Sequence, residues 1–278
     1  MGVALLAGPA NVIMELARPG VGYGVMESRV ESGRADRHPI KRARTTFTYL
    51  AVARRGTEEQ KKAYRRAVGK SHAQVYSTPD SPVEYNAFDK DLQLWVAACI
   101  YKGGVDVYRI FIGEMDDASA DRHYREASTL ATTLQVPEEM WPADRQAFDR
   151  YWQESLDKVR IDDAVREYLY PIAVSRIRGV RLPGLIQRAT EGLNLLITTG
   201  FLPQKFRDEM HFRVECREAA PFRPAHARHP VRQQPRAAIH PRVPVQCAAA
   251  RIRLAHPHRT TAGLRPVRIR AYARERAI

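Results

Sequence analysis

Three polar side chains at helical spacing are the first residues in this sequence that could do chemistry. Arg42, Thr46 and Tyr49 follow one another at intervals of four and three residues, so in a helix they share one face. The other side of the same segment is more apolar, which is typical of a helix that packs against a core. One cation and two hydroxyls on such a helix meet solvent, bond within the core or line a polar cavity. The spacing alone leaves these alternatives open.

A histidine occupies the apolar face of the next predicted helix. Tyr64, Val68, His72 and Val75 fall at intervals of four, four and three residues, so one side of that helix carries all four. A buried imidazole without a hydrogen-bond partner costs roughly 1–3 kcal/mol, so His72 must bond to something. Most such histidines are satisfied within the core, and a metal-binding role for His72 needs further support.

Start and end signals in the sequence define the two helices that carry these residues. Pro39 suits a first helical turn and Gly56 a helix end, which predicts a helix over 39–55. Thr57 and Gln60 form a capping box that opens a second helix over 57–76.

The rest of the chain up to residue 210 also has the pattern of helices. Segment 20–38 is rich in glycine and charge, and we expect it to be irregular. No alternating strand pattern persists, so the predicted fold class is all-α. Gly103 and Gly104 are expected to kink or split the longest helix. The further predicted helices cover 4–18, 90–115, 118–135, 143–158, 163–176 and 183–199.

Charge divides the chain into two parts. The whole sequence has 45 Lys and Arg against 31 Asp and Glu, a formal charge of +14. Residues 211–278 contain 15 Arg and 3 Glu without Lys or Asp, which gives them +12. We therefore predict one helical domain over 1–210 and a disordered basic tail, rich in Arg, Pro, Ala and His, over 211–278. That tail is either a genuine basic arm or a frameshifted terminus, because GC-rich DNA read out of frame gives this composition.

Several classes of protein are excluded. No apolar run reaches the roughly 18 residues that a membrane helix needs. The apolar start lacks the basic flank of a secretory signal. The three cysteines are far apart without paired spacing, which argues against a disulfide scaffold. These features predict a protein of the reducing cytoplasm.

Motifs in a fixed order resemble a known family. The first two are Arg42-Ala43-Arg44-Thr45-Thr46 with Tyr49-Leu50, and Val68-Gly69-Lys70-Ser71-His72-Ala73-Gln74-Val75. The next two are Tyr85-Asn86-Ala87-Phe88-Asp89 and Leu94-Trp95-Val96. Together they resemble the haem-containing domain shared by latex-clearing rubber oxygenases and the fungal ER-bound oxygenase of mycophenolic acid biosynthesis. The similarity extends over about residues 3–210.

The resemblance implies a fold, a cofactor and roles for five residues. The fold would be all-α, with a b-type haem in a pocket within the helical core. The resemblance gives His72 as the iron ligand, Arg42 and Thr46 as residues that line the haem pocket, and Tyr49 as a lesser candidate. Glu27 is the nearest counterpart of an upstream glutamate that serves as a base. Thr45 replaces a lysine of the rubber enzymes, a departure that bears on the substrate more than on the haem.

Two functions follow as hypotheses. The first is a cytoplasmic b-haem oxygenase that uses dioxygen on a hydrophobic, isoprenoid- or lipid-like substrate, with cavity walls from Trp95, Tyr64 and the helix after residue 92. The alternative is a non-catalytic all-α binding protein that uses its basic tail on nucleic acid or acidic lipid. Haem absorbance identifies the first, and binding that weakens steeply with salt identifies the second.

Overall fold

The computed structural model describes residues 2–30, 38–176, 179–180 and 182–212, and these residues form helices joined by loops, without any strand. The predicted all-α fold is confirmed. The basic tail beyond residue 212 lies outside the described residues, so its disorder and its frameshift origin stay predictions. In chain order, the helices are α1 (Gly2–Leu16), α2 (Pro19–Met26), α3 (Pro39–Arg55), α4 (Glu58–His72), α5 (Lys90–Phe111), α6 (Asp117–Ala127), α7 (Thr129–Thr132), α8 (Arg145–Leu156), α9 (Asp163–Ala173), α10 (Gly184–Phe201) and α11 (Gln204–Glu209), with a 3₁₀ turn at Glu138–Met140.

The capping box at the start of α4 forms as predicted. The backbone N–H of Gln60 donates to Thr57 Oγ1 at 3.3 Å, and that of Thr57 donates to Gln60 Oε1 at 2.9 Å. The helix is shorter than the predicted 57–76 and ends at His72. It ends there because the following backbone pairs with a later segment: Ala87 N–H donates to the Val75 carbonyl at 2.9 Å. His72 is therefore the last residue of its helix.

The expectation of an irregular segment 20–38 is wrong for its first part, because α2 is helical. Its glycines allow close packing. A Cβ at Gly22 would lie 2.8 Å from the Leu16 carbonyl oxygen, and one at Gly20 would lie 2.8 Å from a methyl group of Leu92. Helix α2 thus lies close against α1 and α5, and residues 31–37 of the same segment lie outside the described residues.

Helices α1 and α5 run antiparallel through the core. The indole N–H of the fully buried Trp95 donates to the Glu15 carbonyl at 3.1 Å, and Trp95 stacks on Trp152 at a ring distance of 5.3 Å. The expected split at Gly103 and Gly104 does not occur, because α5 continues through both glycines as one helix. A Cβ at Gly103 would lie 2.3 Å from Asn11 Oδ1, so the glycine makes room for α1.

The last helices close the core on one side and leave an apolar surface on the other. Helix α10 packs on the end of α9, where the Thr198 hydroxyl donates to the Ala173 carbonyl at 2.8 Å. Its N-terminal half exposes Leu185, which is 82% accessible. Sequence patterns missed α11, whose Phe206 is fully buried, and Phe212 just after the predicted boundary is only 5% exposed. Within the described part of the chain, no helix combines the length and apolar character that crossing a membrane requires.

Candidate functional site

A cavity of about 460 Å³ lies between helices α1 to α5. Its volume falls within the range of small-molecule sites, roughly 300–1,000 Å³. Aliphatic side chains form a large part of the walls, and charged, hydroxyl, amide and imidazole side chains share the lining. The aliphatic residues include Val21, Val25, Val68, Leu92, Val96 and Ile100.

Four of the five predicted site residues line this cavity. Arg42, Thr46 and Tyr49 come from α3, and His72 comes from the end of α4. The apolar stripe predicted around His72 also faces the cavity, since Tyr64, Val68 and Val75 belong to the same lining.

Glu27 is separated from the other four predicted residues. It is exposed at the end of α2 and is absent from the described cavity lining. Its Oε2 accepts hydrogen bonds from Ser81 Oγ at 2.6 Å and from the Tyr85 hydroxyl at 2.7 Å. Tyr85 belongs to the cavity lining, so Glu27 is bonded to a lining residue without belonging to the lining itself.

The hydroxyl groups of Thr46 and Tyr49 on α3 form hydrogen bonds within the protein. Thr46 Oγ1 donates to the backbone carbonyl of Arg42 at 3.0 Å. The buried Tyr49 hydroxyl donates to the Leu130 carbonyl, and burial raises the pKa of this phenol well above its usual range. Both side chains line the cavity, but their hydroxyl hydrogens are engaged with backbone oxygens.

Arg42 brings a positive charge to the cavity. It lines the cavity and is also exposed, which places it at the opening, and it has no hydrogen bond or ion pair with any residue that the structure describes. It lies close enough to Glu15 and His72 for its positive charge to lower the pKa of both. Arg42 thus acts electrostatically both on Glu15 in α1 and on His72 in α4.

The His72 imidazole is neutral and unbonded. Burial lowers its pKa below the ordinary histidine value of about 6.5, and the charge of Arg42 lowers it further. Its ring meets Phe88 edge-on at 6.2 Å, and within the described chain it makes no hydrogen bond. A neutral imidazole that faces a cavity with a free lone pair has the form in which histidine binds metals.

Glu15 is a cavity residue that the motif analysis missed. One carboxylate oxygen, Oε1, accepts a hydrogen bond from Asn11 Nδ2 at 2.6 Å. Burial raises the pKa of this carboxyl from 4.5 to about 7, although Arg42 and Asn11 act in the opposite direction. A signal was present in the sequence, because Glu15 is the one charged residue in the otherwise apolar stretch that forms α1.

Residues 1–232 match the family described as the catalytic domain of the ER-bound oxygenases mpaB and B' and of rubber oxygenase. The chain belongs to this oxygenase family. Uncharacterized proteins of Mycobacterium bovis and Mycobacterium tuberculosis are each 54% identical to it over 206 residues, which is 74% of this chain and 79% of each relative. No solved structure matches the chain. The resemblance that the ordered motifs predicted is therefore confirmed.

In this oxygenase domain, the wall contributed by α5 differs from the predicted one. Trp95 lies in the core against Trp152 and does not belong to the described cavity lining. The lining from α5 includes Gln93, which is buried and donates from Nε2 to the Ala87 carbonyl at 2.7 Å. This bond holds in place the segment that follows residue 85. That segment includes Phe88, whose ring contacts His72.

His72 is the residue of the oxygenase cavity best suited to hold a metal. The described residues contain no group of three or more His, Cys, Asp or Glu side chains that could bind an ion together. A single histidine suffices when the metal is already held by a macrocycle, as in a b-type haem.

Proposed function

We propose that this member of the oxygenase family is a b-haem-dependent enzyme that uses dioxygen to oxidise a hydrophobic, isoprenoid- or lipid-like substrate. The observation that carries the proposal is the imidazole of His72, which is neutral, has no hydrogen bond to a described residue and belongs to the lining of the cavity. A neutral imidazole nitrogen is a common iron ligand, and in the described chain His72 makes no hydrogen bond that would compete with that role.

The other cavity residues suit the same group. The aliphatic walls match the apolar faces of a porphyrin, and the guanidinium of Arg42 offers donors for a carboxylate or for negative charge that develops during the reaction. When bound, haem would supply the activation of dioxygen, which amino-acid side chains do not provide. Thr46 would contribute its methyl group and the lone pairs of its oxygen, since its hydroxyl hydrogen is already engaged.

The aliphatic lining also supports an apolar substrate. Burial of apolar surface stabilises a bound ligand by roughly 25 cal/mol per Å², so the aliphatic side chains of the lining favour an apolar molecule over a polar one. The mouth carries Arg42 together with Thr45, the position at which the rubber oxygenases have a lysine. The opening therefore differs from theirs where a substrate would enter, which favours a substrate other than rubber.

Haem content tests the proposal directly. Full-length protein expressed with added haem precursor should show a Soret band and a b-type pyridine haemochrome, and His72→Ala should lose most of both. His123→Ala is the matched control, because His123 is also partly buried but lies outside the cavity lining against Arg54 at 3.3 Å and the Tyr101 ring. A folded wild-type protein without haem, or equal haem content in the two variants, would contradict the assignment of His72.

A second measurement tests the reaction. The haem-loaded protein is incubated with isoprenoid and fatty lipids under ¹⁸O₂, and the products are analysed by mass spectrometry. Label in a product supports an oxygenase, and its absence from every lipid tested counts against the lipid-like substrate class. The alternative of a binding protein that acts through its basic tail predicts a colourless protein whose DNA or lipid binding falls steeply with salt.

A further inference from the structure

The geometry points to Glu15 as the polar anchor of the cavity, and we propose that the substrate is a long apolar molecule with a neutral hydroxyl head that hydrogen-bonds to this carboxyl. The inference rests on the proposed function, because it names the chemical class of the substrate for the same site. It adds a binding residue that neither the ordered motifs nor the family match assigns.

Two hydrogen bonds hold Glu15 in place. Its backbone carbonyl accepts from the Trp95 indole at 3.1 Å, and its Oε1 accepts from Asn11 Nδ2 at 2.6 Å. Asn11 in turn fits over Gly103, where any side chain would collide with its amide oxygen. The second carboxyl oxygen has no hydrogen bond to any described residue, and Glu15 belongs to the cavity lining. One oxygen is therefore fixed by the protein while the other remains for a ligand.

The surroundings favour a hydroxyl over a charged head group. Lys41 and Arg42 line the same cavity, so an ammonium group on the ligand would meet two positive charges. An anionic head would bind to those two residues and be repelled by an ionised Glu15. A hydroxyl donates to a carboxylate and also bonds to a protonated carboxyl, so it suits Glu15 in either protonation state. The aliphatic walls then take the rest of the molecule.

A pair of ligands isolates this hydrogen bond. 1-Decanol and its methyl ether have the same decyl chain and oxygen, but the ether has no hydroxyl hydrogen. Both are measured by displacement of a neutral fluorescent dye from the haem-loaded protein. We expect wild-type protein to bind decanol about tenfold more tightly than the ether, equivalent to about 1.4 kcal/mol. In Glu15→Leu that ratio should fall to about one.

Controls separate this inference from general damage and from the proposed function. Glu154→Leu removes an exposed carboxyl on α8 and should keep the tenfold ratio. The haem content of Glu15→Leu is measured in parallel; if it equals wild type while the ratio stays at ten, the hydroxyl anchor is wrong and the haem site stands. Loss of haem from wild-type protein would instead contradict the proposed function, and the ligand pair can still be compared without haem.

An infrared measurement covers the case in which Glu15→Leu fails to fold. Decanol should shift the carboxyl stretching band of wild-type protein, the ether should not, and Glu15→Gln should lack the band. A wild-type protein that binds the ether as well as the alcohol, or shows no carboxyl shift, would overturn the proposal. Tighter binding of decanoate than of decanol, lost in Arg42→Gln, would also overturn it in favour of an anionic substrate.

Discussion

Glu15 should make the protein less stable as the pH rises from 4.5 to 7, and Glu15→Gln should remove that effect. The pKa of this carboxyl rises from 4.5 in the unfolded chain to about 7 in the folded one. Between these values the folded state keeps a proton that the unfolded state releases, so the free energy of unfolding falls as the pH rises. The shift corresponds to about 3 kcal/mol, at about 1.4 kcal/mol per pH unit.

Other groups titrate in the same window, so the comparison must be a difference. Burial lowers the pKa of His72 and of His123, and below about pH 6.5 the unfolded state binds protons that the folded state does not. These histidines make the protein less stable as the pH falls, which is opposite in sign to the effect of Glu15. Subtracting wild-type from Glu15→Gln values at each pH cancels the histidine contributions.

The assay is urea unfolding at several values between pH 4.5 and 7.5, followed by tryptophan fluorescence and far-UV circular dichroism. The free energy of unfolding of Glu15→Gln relative to wild type should increase by about 3 kcal/mol across this range. Only the wild-type protein carries a carboxyl in this buried position, and keeping it protonated or ionising it becomes more costly as the pH rises. Glu154→Gln, at an exposed site, should follow the wild-type curve. Parallel curves for Glu15→Gln and wild type would show that the carboxyl is solvated, and would refute the reasoning about its burial.

Four further changes test the packing. Gly22→Ala should lower the melting temperature in calorimetry, because its Cβ would meet the Leu16 carbonyl oxygen at 2.8 Å; an unchanged value would mean that α2 can shift. Leu185→Ser should change urea stability by less than about 0.5 kcal/mol, since Leu185 is 82% exposed. Thr46→Val and Thr48→Val remove equivalent bonds to backbone carbonyls, so their stabilities should match, and a changed haem spectrum in Thr46→Val alone would show a role in the cavity. A chain that ends at Phe212 should be more stable than one that ends at Met210 by about 2 kcal/mol, because Phe212 is buried; equal denaturation midpoints would contradict this.

Local signals predicted the helices well where the deciding chemistry is local. The capping box of Thr57 and Gln60 fixes the start of α4, and the helix over 39–55 has the predicted bounds. The sequence failed where tertiary contacts decide. Glycines read as signs of irregular backbone in α2 are sites of close helix packing, and Gly103 leaves space for Asn11. A glycine needed for a neighbour cannot be distinguished by sequence alone from a glycine needed for a turn.

The same distinction between local and tertiary determinants applies to the residues of the candidate site. Helical spacing placed Arg42, Thr46 and Tyr49 on one face, and it placed His72 on the apolar side of its helix, because both relations follow from the pitch of a single helix. The assignment of Glu27 followed from order along the chain, and the structure places Glu27 outside the described cavity lining, bonded to Tyr85.

Glu15 shows why a charge on a buried helix is informative. Its carboxyl is held in apolar surroundings at a cost that Arg42 and Asn11 only partly offset, since its pKa still rises to about 7. Packing of the apolar α1 does not require a carboxyl at this position, and a leucine would fill the same space without that cost. A costly carboxyl that lines a cavity together with Arg42 and His72 is best explained by contact with what the cavity binds.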